Sequence, residues 1–383
     1  MRCRSKIISC FICLLILLFV VSILATGCGK TESAQTENGS EVLQPEQGSG
    51  EQKTEDTDII IPTTEIVSLE DGFSVVKYSG DYKLNEFLEQ GGASSDADVM
   101  GFLTKHLFSG ESVLEFFGGI FGCSALSVQS TDGSYIFGRN FDWNSCQAMV
   151  VSAEPEEGYA SISTVNMDFI QAGAGISLER LLDEMKTIAA LYAPLDGMNE
   201  KGFCVSVNMI EDSDTIDQDT GKKDITTTTA VRLLLDQAAD VEEALALLKQ
   251  YDLHASMGMM VHFALADAKG HAVAVEYIDN QMVVTDTPVV TNFYLAEGEK
   301  HGIGTEQSHT RYEILTEKLK EKQTMDMGDV RDALDSVSKH NFGDFESTEW
   351  SIVFHQGSGE VQYYHRENYE EVYTFLLPLQ QSE

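Results

Sequence analysis

Basic residues are scarce in this chain. Of 383 residues, 25 are Lys or Arg and 62 are Asp or Glu. Three of the basic ones, Arg2, Arg4 and Lys6, come before the first apolar run, which leaves 22 against 62 for everything beyond it. Nucleic-acid binding rests on neutralising phosphates with cationic side chains, so this balance excludes nucleic acid as an expected partner. It also argues against docking on anionic lipid and serves mainly solubility. Paired cysteines are lacking too. Of seven cysteines, Cys3, Cys10 and Cys13 lie within the first 27 residues and Cys28 directly follows them. Cys123, Cys146 and Cys204 remain, an odd number without CxxC spacing, which is neither a disulfide framework nor a zinc site. No HExxH, Walker or GxSxG element occurs, and the nine histidines are scattered without ligand spacing. No metal and no cofactor is expected, and no internal repeat of fixed period is present.

What is there begins with apolar content: 43% of residues are hydrophobic, which is enough for a packed globule. The opening "MRCRSKIISCFICLLILLFVVSILATGC" has a basic start and an uncharged run from Ile7 to Thr26, the plan of an export signal. Its end, "LATGC", resembles the bacterial lipobox, in which small residues precede a lipidated cysteine, here Cys28; Ala25 is smaller than the residue usual at its place. An uncleaved membrane anchor is the alternative for the same run. Either way the body is expected on the extracytoplasmic face of a bacterial membrane. The next stretch, rich in Glu, Gln, Ser, Thr and Gly, cannot bury enough surface to fold and reads as a tether. The expected division is 1–27 signal, 28–57 tether, 58–122 pro-segment and 123–383 main domain.

From Asp58 the chain becomes foldable. "GFSVVKY" reads as a strand, and "DADVMGFLTKHLF" and "SVLEFFGGIFG" read as apolar helical material. Beyond Cys123, strand pairs with turn signals dominate, with hairpins around Asp132-Gly133 and around Ala268-Lys269-Gly270. "QMVVTDTPVVTNFYL" and the segment from Trp350 supply further strands. Helices are expected at "TTTTAVRLLLDQAA", "DVEEALALLKQY", "SHTRYEILTEKLKEK" and "MGDVRDALDSVS", with Asp240 and Glu243 as a cap for the second. Strands and helices in alternating blocks, with hairpins throughout, favour an antiparallel α+β arrangement over a parallel βαβ array.

The chemistry concentrates in "GIFGCSALSVQSTDGSYIFGRNFDW", residues 119–143. A thiol with an ordinary pKa of roughly 8.5 needs a base to become a good nucleophile, and a free α-amine, at roughly 7.7–8.0, supplies one near neutral pH. Cutting the Gly122–Cys123 bond places both on one residue. Glycine before the bond leaves its carbonyl open to attack. Arg139 and Asp142 return on the second arm of the hairpin. They differ in parity along a strand and need not share a face, although the "RNFDW" turn could aim both at the strand start. An arginine there favours thiolate, and a carboxylate holds the ammonium. The other reading of Cys123 alone is a small buried hydrophobe in a surface hairpin.

"C-S-A-L-S-V…G-R-N-F-D-W" resembles the start of the mature chain in the choloylglycine hydrolase superfamily of N-terminal nucleophile (Ntn) amidohydrolases, with Arg139 and Asp142 at the family's offsets from Cys123. "DGMNEKGFCVSVNMI" is similar to the family's second signature, in a register one residue shorter, and the resemblance makes Asn208 an oxyanion-hole residue. "VVTNFYL" likewise makes Asn292 an oxyanion donor, and "SHTRYEIL" makes Arg311 a brace of the site. The resemblance covers about residues 119–378. It implies an αββα sandwich, two antiparallel sheets between helical layers, and acyl transfer from a small-molecule N-acyl amide to the Cys123 sulfur. The remaining thiols, Cys146 and Cys204, and the histidines His262 and His271 read as structural. Trp143, Phe141, Met198 and Met209 suit either an acyl pocket or the core. Bile salt hydrolases carry almost nothing before their cysteine, whereas 94 residues, 29–122, separate Cys28 from Cys123 here. That layout is closer to acid ceramidase-like amidases and implies a pro-segment that is cut and retained as a small subunit. A solute-binding lipoprotein is the rival from another class, although its two lobes of βαβ units are not evident in this strand order; a non-catalytic surface lipoprotein used for adhesion or peptidoglycan contact is a second.

Overall fold

The computed structural model describes residues 59–106, 122–174, 182–210, 213–297, 302–343 and 346–380. The expected signal, tether and lipid cysteine Cys28 lie outside the described residues, as does the apolar stretch 107–121. Among the described residues no helix is long and apolar enough to cross a membrane.

Ahead of the Gly122–Cys123 junction come β1 (Val67–Glu70), β2 (Phe73–Gly80), α1 (Leu84–Glu89) and α2 (Asp96–His106). After it follow β3 (Gly122–Ser130), β4 (Tyr135–Trp143), β5 (Ala148–Pro155), β6 (Ser161–Asn166), α3 (Met167–Ala174), α4 (Asp183–Leu191), β7 (Asp196–Asn199) and β8 (Cys204–Met209). The middle of the chain forms β9 (Lys223–Thr226), α5 (Thr227–Gln237), α6 (Val241–Leu248), β10 (Tyr251–His254), β11 (Val261–Ala266), β12 (Ala272–Ile278), β13 (Gln281–Asp286) and β14 (Val289–Val290). The last elements are α7 (Glu306–Glu321), β15 (Thr324–Met325), α8 (Met327–Asp335), β16 (Ser347–His355), β17 (Glu360–His365) and β18 (Tyr373–Leu376).

Local chemistry explains several of these. Gly133 adopts φ +92°, which the tight β3–β4 turn requires, and the Asp132 carboxylate accepts the Ser134 N–H at 2.9 Å. Helix α5 starts on a capping box in which Thr226 and Thr229 satisfy each other's backbone N–H groups. Asp240 caps α6 by accepting from the Glu243 N–H at 3.0 Å, as its sequence signature suggests.

Two sheets carry the fold among the described residues. One runs β1-β2-β5-β6-β7-β8-β11-β12-β13; the other runs β14-β3-β4-β16-β17-β18, with β15 beside β3. Pairing is antiparallel except for β2 with β5, β15 with β3, and the separate β9–β10 pair. The sheets face each other through buried partners: Arg139 on β4 pairs with Asp196 on β7 at 2.7 Å, and Trp350 on β16 donates to the same carboxylate at 3.0 Å. Helices α7 and α8 cover the outer face of the second sheet, where Leu126, Ile136, Leu315, Val330 and Leu334 form a core layer. Helices α4 and α5 cover the outer face of the first. This is the α+β, αββα sandwich that the resemblance implies, and no two-lobed βαβ arrangement appears among the described residues.

One feature differs from the sequence reading. "VVTNFYL" is not a continuous strand: β14 ends at Val290, and Thr291 Oγ1 and the Asn292 N–H turn instead to Ser308 at the head of α7. The residues before the junction pack directly against those after it. Strand β2 lies along the whole of β5, from Phe73 opposite Ala148 to Gly80 opposite Pro155, inside one compact unit that spans residues 56–383.

Candidate active site

Strand β3 begins at the residue pair of interest. Gly122 lies opposite Asp142, Cys123 opposite Phe141, and Ala125 opposite Arg139. Residues directly opposite each other share a face of an antiparallel pair, so Cys123 and Arg139 point between the two sheets. Asp142 points the other way, as does Asn140, which donates to the Leu334 carbonyl of α8 at 2.8 Å. The parity difference in the sequence is therefore real, and no turn brings the two groups together. Arg139 lies on the sulfur's face of the strand pair and Asp142 on the opposite face, beside Gly122.

The inner face is fully buried. Arg139 is held by its ion pair with Asp196 and by donating to the carbonyls of Asn140 at 2.6 Å and Val207 at 3.0 Å. Burial pushes the Cys123 thiol above its ordinary range, with the Arg139 guanidinium pulling it back and Asp142 adding to the rise.

On the outer face Arg311 gathers four acceptors. It donates to the Cys123 carbonyl at 2.7 Å, to Ser124 Oγ at 2.7 Å, to Asp142 Oδ2 at 3.3 Å and to Asn292 Oδ1 at 2.7 Å. Asn292 Oδ1 also accepts the Cys123 N–H at 2.7 Å, while its Nδ2 donates to the Met209 carbonyl at 2.8 Å. The donors around Asn292 fix which end of its amide faces the junction. Asp142 accepts from Thr348 Oγ1 at 2.7 Å. Its carboxyl is pushed up by burial, and Arg311 and Lys339 oppose the rise.

Lys339, Ser308 and Thr348 belong to this cluster and were not legible as site residues. Lys339 Nζ reaches Glu346 at 2.8 Å and Gln307 Oε1 at 2.8 Å. A Cβ on Gly122 would stand 2.6 Å from Lys339 Cε and 2.7 Å from Asp142 Oδ2. The glycine before the junction is a steric requirement of these charges. "SVSKH" carries no motif that could have flagged the lysine.

Asn208 is placed differently. It is buried, accepts from Ser206 Oγ at 3.2 Å and donates to the Val290 carbonyl at 3.4 Å. Its strand neighbours Val207 and Met209, not Asn208 itself, line the pocket at Cys123. The structure therefore brings Asp142, Asn292 and Arg311 together around the Gly122–Cys123 junction, sets Arg139 on the sulfur's side between the sheets, and leaves Asn208 bracing β8 against β14. Among the remaining candidates, Phe141 and Met209 line the pocket and Met198 is fully buried in the core. Trp143 stacks on Phe141 and meets Phe169 edge-on. Cys146 and Cys204 are free and buried, with thiols pushed up by burial, as structural cysteines should be. His262 lies between Glu276 at 3.2 Å and the Thr291 carbonyl at 2.7 Å, and His271 contacts Asp286 at 3.1 Å; both are structural. No group of three or more His, Cys, Asp or Glu able to hold a metal occurs among the described residues.

No functionally curated protein matches the sequence. Among solved structures, a mutant of the conjugated bile acid hydrolase from Clostridium perfringens is similar at 17% identity and TM-score 0.49, covering 66% of this chain and 92% of its own. Penicillin V acylase from Agrobacterium tumefaciens is similar at 17% identity and TM-score 0.46, covering 63% and 83%. The family model of the linear amide C–N hydrolases, choloylglycine hydrolase family, matches residues 123–331, more than half of the chain and starting at the cysteine itself. The chain belongs to that family and is a linear amide C–N hydrolase.

Proposed function

We propose that the chain is cut between Gly122 and Cys123 and that the freed cysteine hydrolyses a small-molecule N-acyl amide. The observation that carries this reading is the Cys123 backbone nitrogen held 2.7 Å from Asn292 Oδ1, with Arg311 on the carbonyl of the same residue. A nitrogen so held keeps its place when the peptide bond before it is broken.

In the first reaction the Cys123 thiol adds to the Gly122 carbonyl, and its proton passes to the departing Cys123 nitrogen. The peptide C–N bond gives way to a thioester. Water cleaves the thioester, leaving a carboxylate on Gly122 and a free amine and thiol on Cys123. In the second reaction that amine, with a pKa of roughly 7.7–8.0, takes the thiol proton. The sulfur attacks the substrate carbonyl, the ammonium protonates the leaving amine as the amide C–N bond breaks, and water hydrolyses the acyl thioester. Asn292 spends one Nδ2 proton on the Met209 carbonyl and has a second for the oxyanion. Arg139 stabilises the thiolate, and Asp142 and Arg311 brace the amine. Asn208 acts through β8, as a brace rather than a donor.

The sequence of residues 1–28 supports export, removal of 1–27 and lipidation of Cys28, which would hold the enzyme on the extracytoplasmic face. The pre-junction fragment then stays as a small subunit. Incorporation of an alkyne-tagged fatty acid that is lost in Cys28→Ala tests the anchor. Release of free amine from a panel of N-acyl amino acids and conjugated bile salts tests the chemistry. Cys123→Ala should lower turnover by at least about a thousandfold and leave the chain unbroken; equal turnover by that variant would refute catalysis at Cys123.

A further inference from the structure

The pocket that Cys123 opens into is walled by aliphatic, aromatic and hydroxyl side chains, with no charged group. Beside it lies a second chamber. Phe169, Thr228, Ser256 and Met257 line both, so the two adjoin across a wall four residues wide. The roof of the far chamber comes from α2, through Val99, Met100 and Leu103. Their spacing puts them on one helix face. Helix α2 precedes Gly122, outside the residues that the family model matches.

One charged group lines the far chamber. Asp96, in the first turn of α2, accepts the Met257 N–H at 2.6 Å. Met257 has φ +57°, a left-handed conformation that a non-glycine side chain adopts at a cost. The pre-junction segment therefore fixes the residue that stands between the two chambers.

We propose that the two chambers form one acyl channel, in which a long, flexible, apolar acyl chain runs from its carbonyl at Cys123 past Met257 to a far end roofed by α2. Resting on Cys123 as the nucleophile, this makes the pre-junction fragment a wall of the substrate site and the part of the chain that selects acyl length. Polar or charged acyl groups have no partner along the channel other than hydroxyls and Asp96. Each methylene that moves from water into it should raise kcat/KM by roughly fourfold until the far chamber is filled.

The test is a series of butanoyl, octanoyl and hexadecanoyl amides of one amine, hydrolysed by the cut full-length protein. The parent should prefer the longer chains. Met100→Trp, which fills the far chamber, should lower the ratio of hexadecanoyl to butanoyl kcat/KM by at least about tenfold, chiefly through KM. Leu103→Ala, which enlarges the chamber, should shift the optimum towards hexadecanoyl. A ratio is read because it is unaffected by the fraction of a variant that folds. A parent that hydrolyses the butanoyl amide but not the longer ones, or ratios that neither variant moves, overturns the channel while leaving the nucleophile standing. A parent inert towards every amide overturns the underlying reading as well.

Discussion

At the scale of single residues, the site divides its work between two faces of one strand pair. Sulfur and Arg139 lie between the sheets; Asp142, Arg311 and Lys339 surround the junction backbone from outside. The raised thiol of the unbroken chain gives the cutting reaction a pH dependence of known sign. Below the thiol pKa the reactive thiolate grows about tenfold per pH unit. Cutting of freshly made chain, followed on gels, should therefore quicken as pH rises from about 6 to about 8, and a rate that falls over that range contradicts the assignment. Gly122→Ala puts a Cβ against Lys339 and Asp142 and should slow cutting sharply with little change in overall fold, seen as persistence of the full-length band. Asn292→Ala should cost on the order of 100- to 1,000-fold in kcat. Asn208→Ala should instead lower stability by about 1–3 kcal/mol through its lost buried hydrogen bonds, read as a lower Tm. Cys123, Arg139 and Asp142 were legible because a short hairpin fixes their offsets. Lys339 was not, because it reaches the junction only through tertiary folding, about two hundred residues later in the chain.

At the scale of elements, what could be read from sequence was what neighbours in sequence decide. The β3–β4 and β11–β12 hairpins follow from their turn residues, α5 follows from its apolar spacing, and α6 follows from that spacing and its Asp240 cap. Asp240→Ala removes the cap of α6, whose buried face is Val241, Ala244 and Leu248, and should cost about 1 kcal/mol in thermal or denaturant unfolding. The parallel pairing of β2 with β5 could not be read. It joins segments about seventy residues apart, and nothing local in "GFSVVKY" names its partner. The same limit explains "VVTNFYL": its apolar pattern suits a strand, but Ser308 of α7 takes the backbone and side-chain bonds that would have continued one. That departure is what turns Asn292 towards Cys123.

At the scale of the whole molecule, the pre-junction segment is woven into the catalytic body. Strands β1 and β2 are the edge of the sheet that carries β8, and Phe73, Val75, Val76, Leu84, Phe87, Leu88 and Leu103 are buried in the common core. Burying one such side chain contributes about 1.5–3 kcal/mol, so several together should hold the two fragments after the bond is broken. The fragments should co-elute on gel filtration in native buffer at any salt concentration and separate only in denaturant. The most direct measurement of the central claim is intact-mass analysis and N-terminal sequencing of catalytically active protein. A fragment that begins at Cys123, with turnover appearing in step with it, is the expected result. Full activity from a chain still continuous through Gly122 and Cys123 would contradict the account.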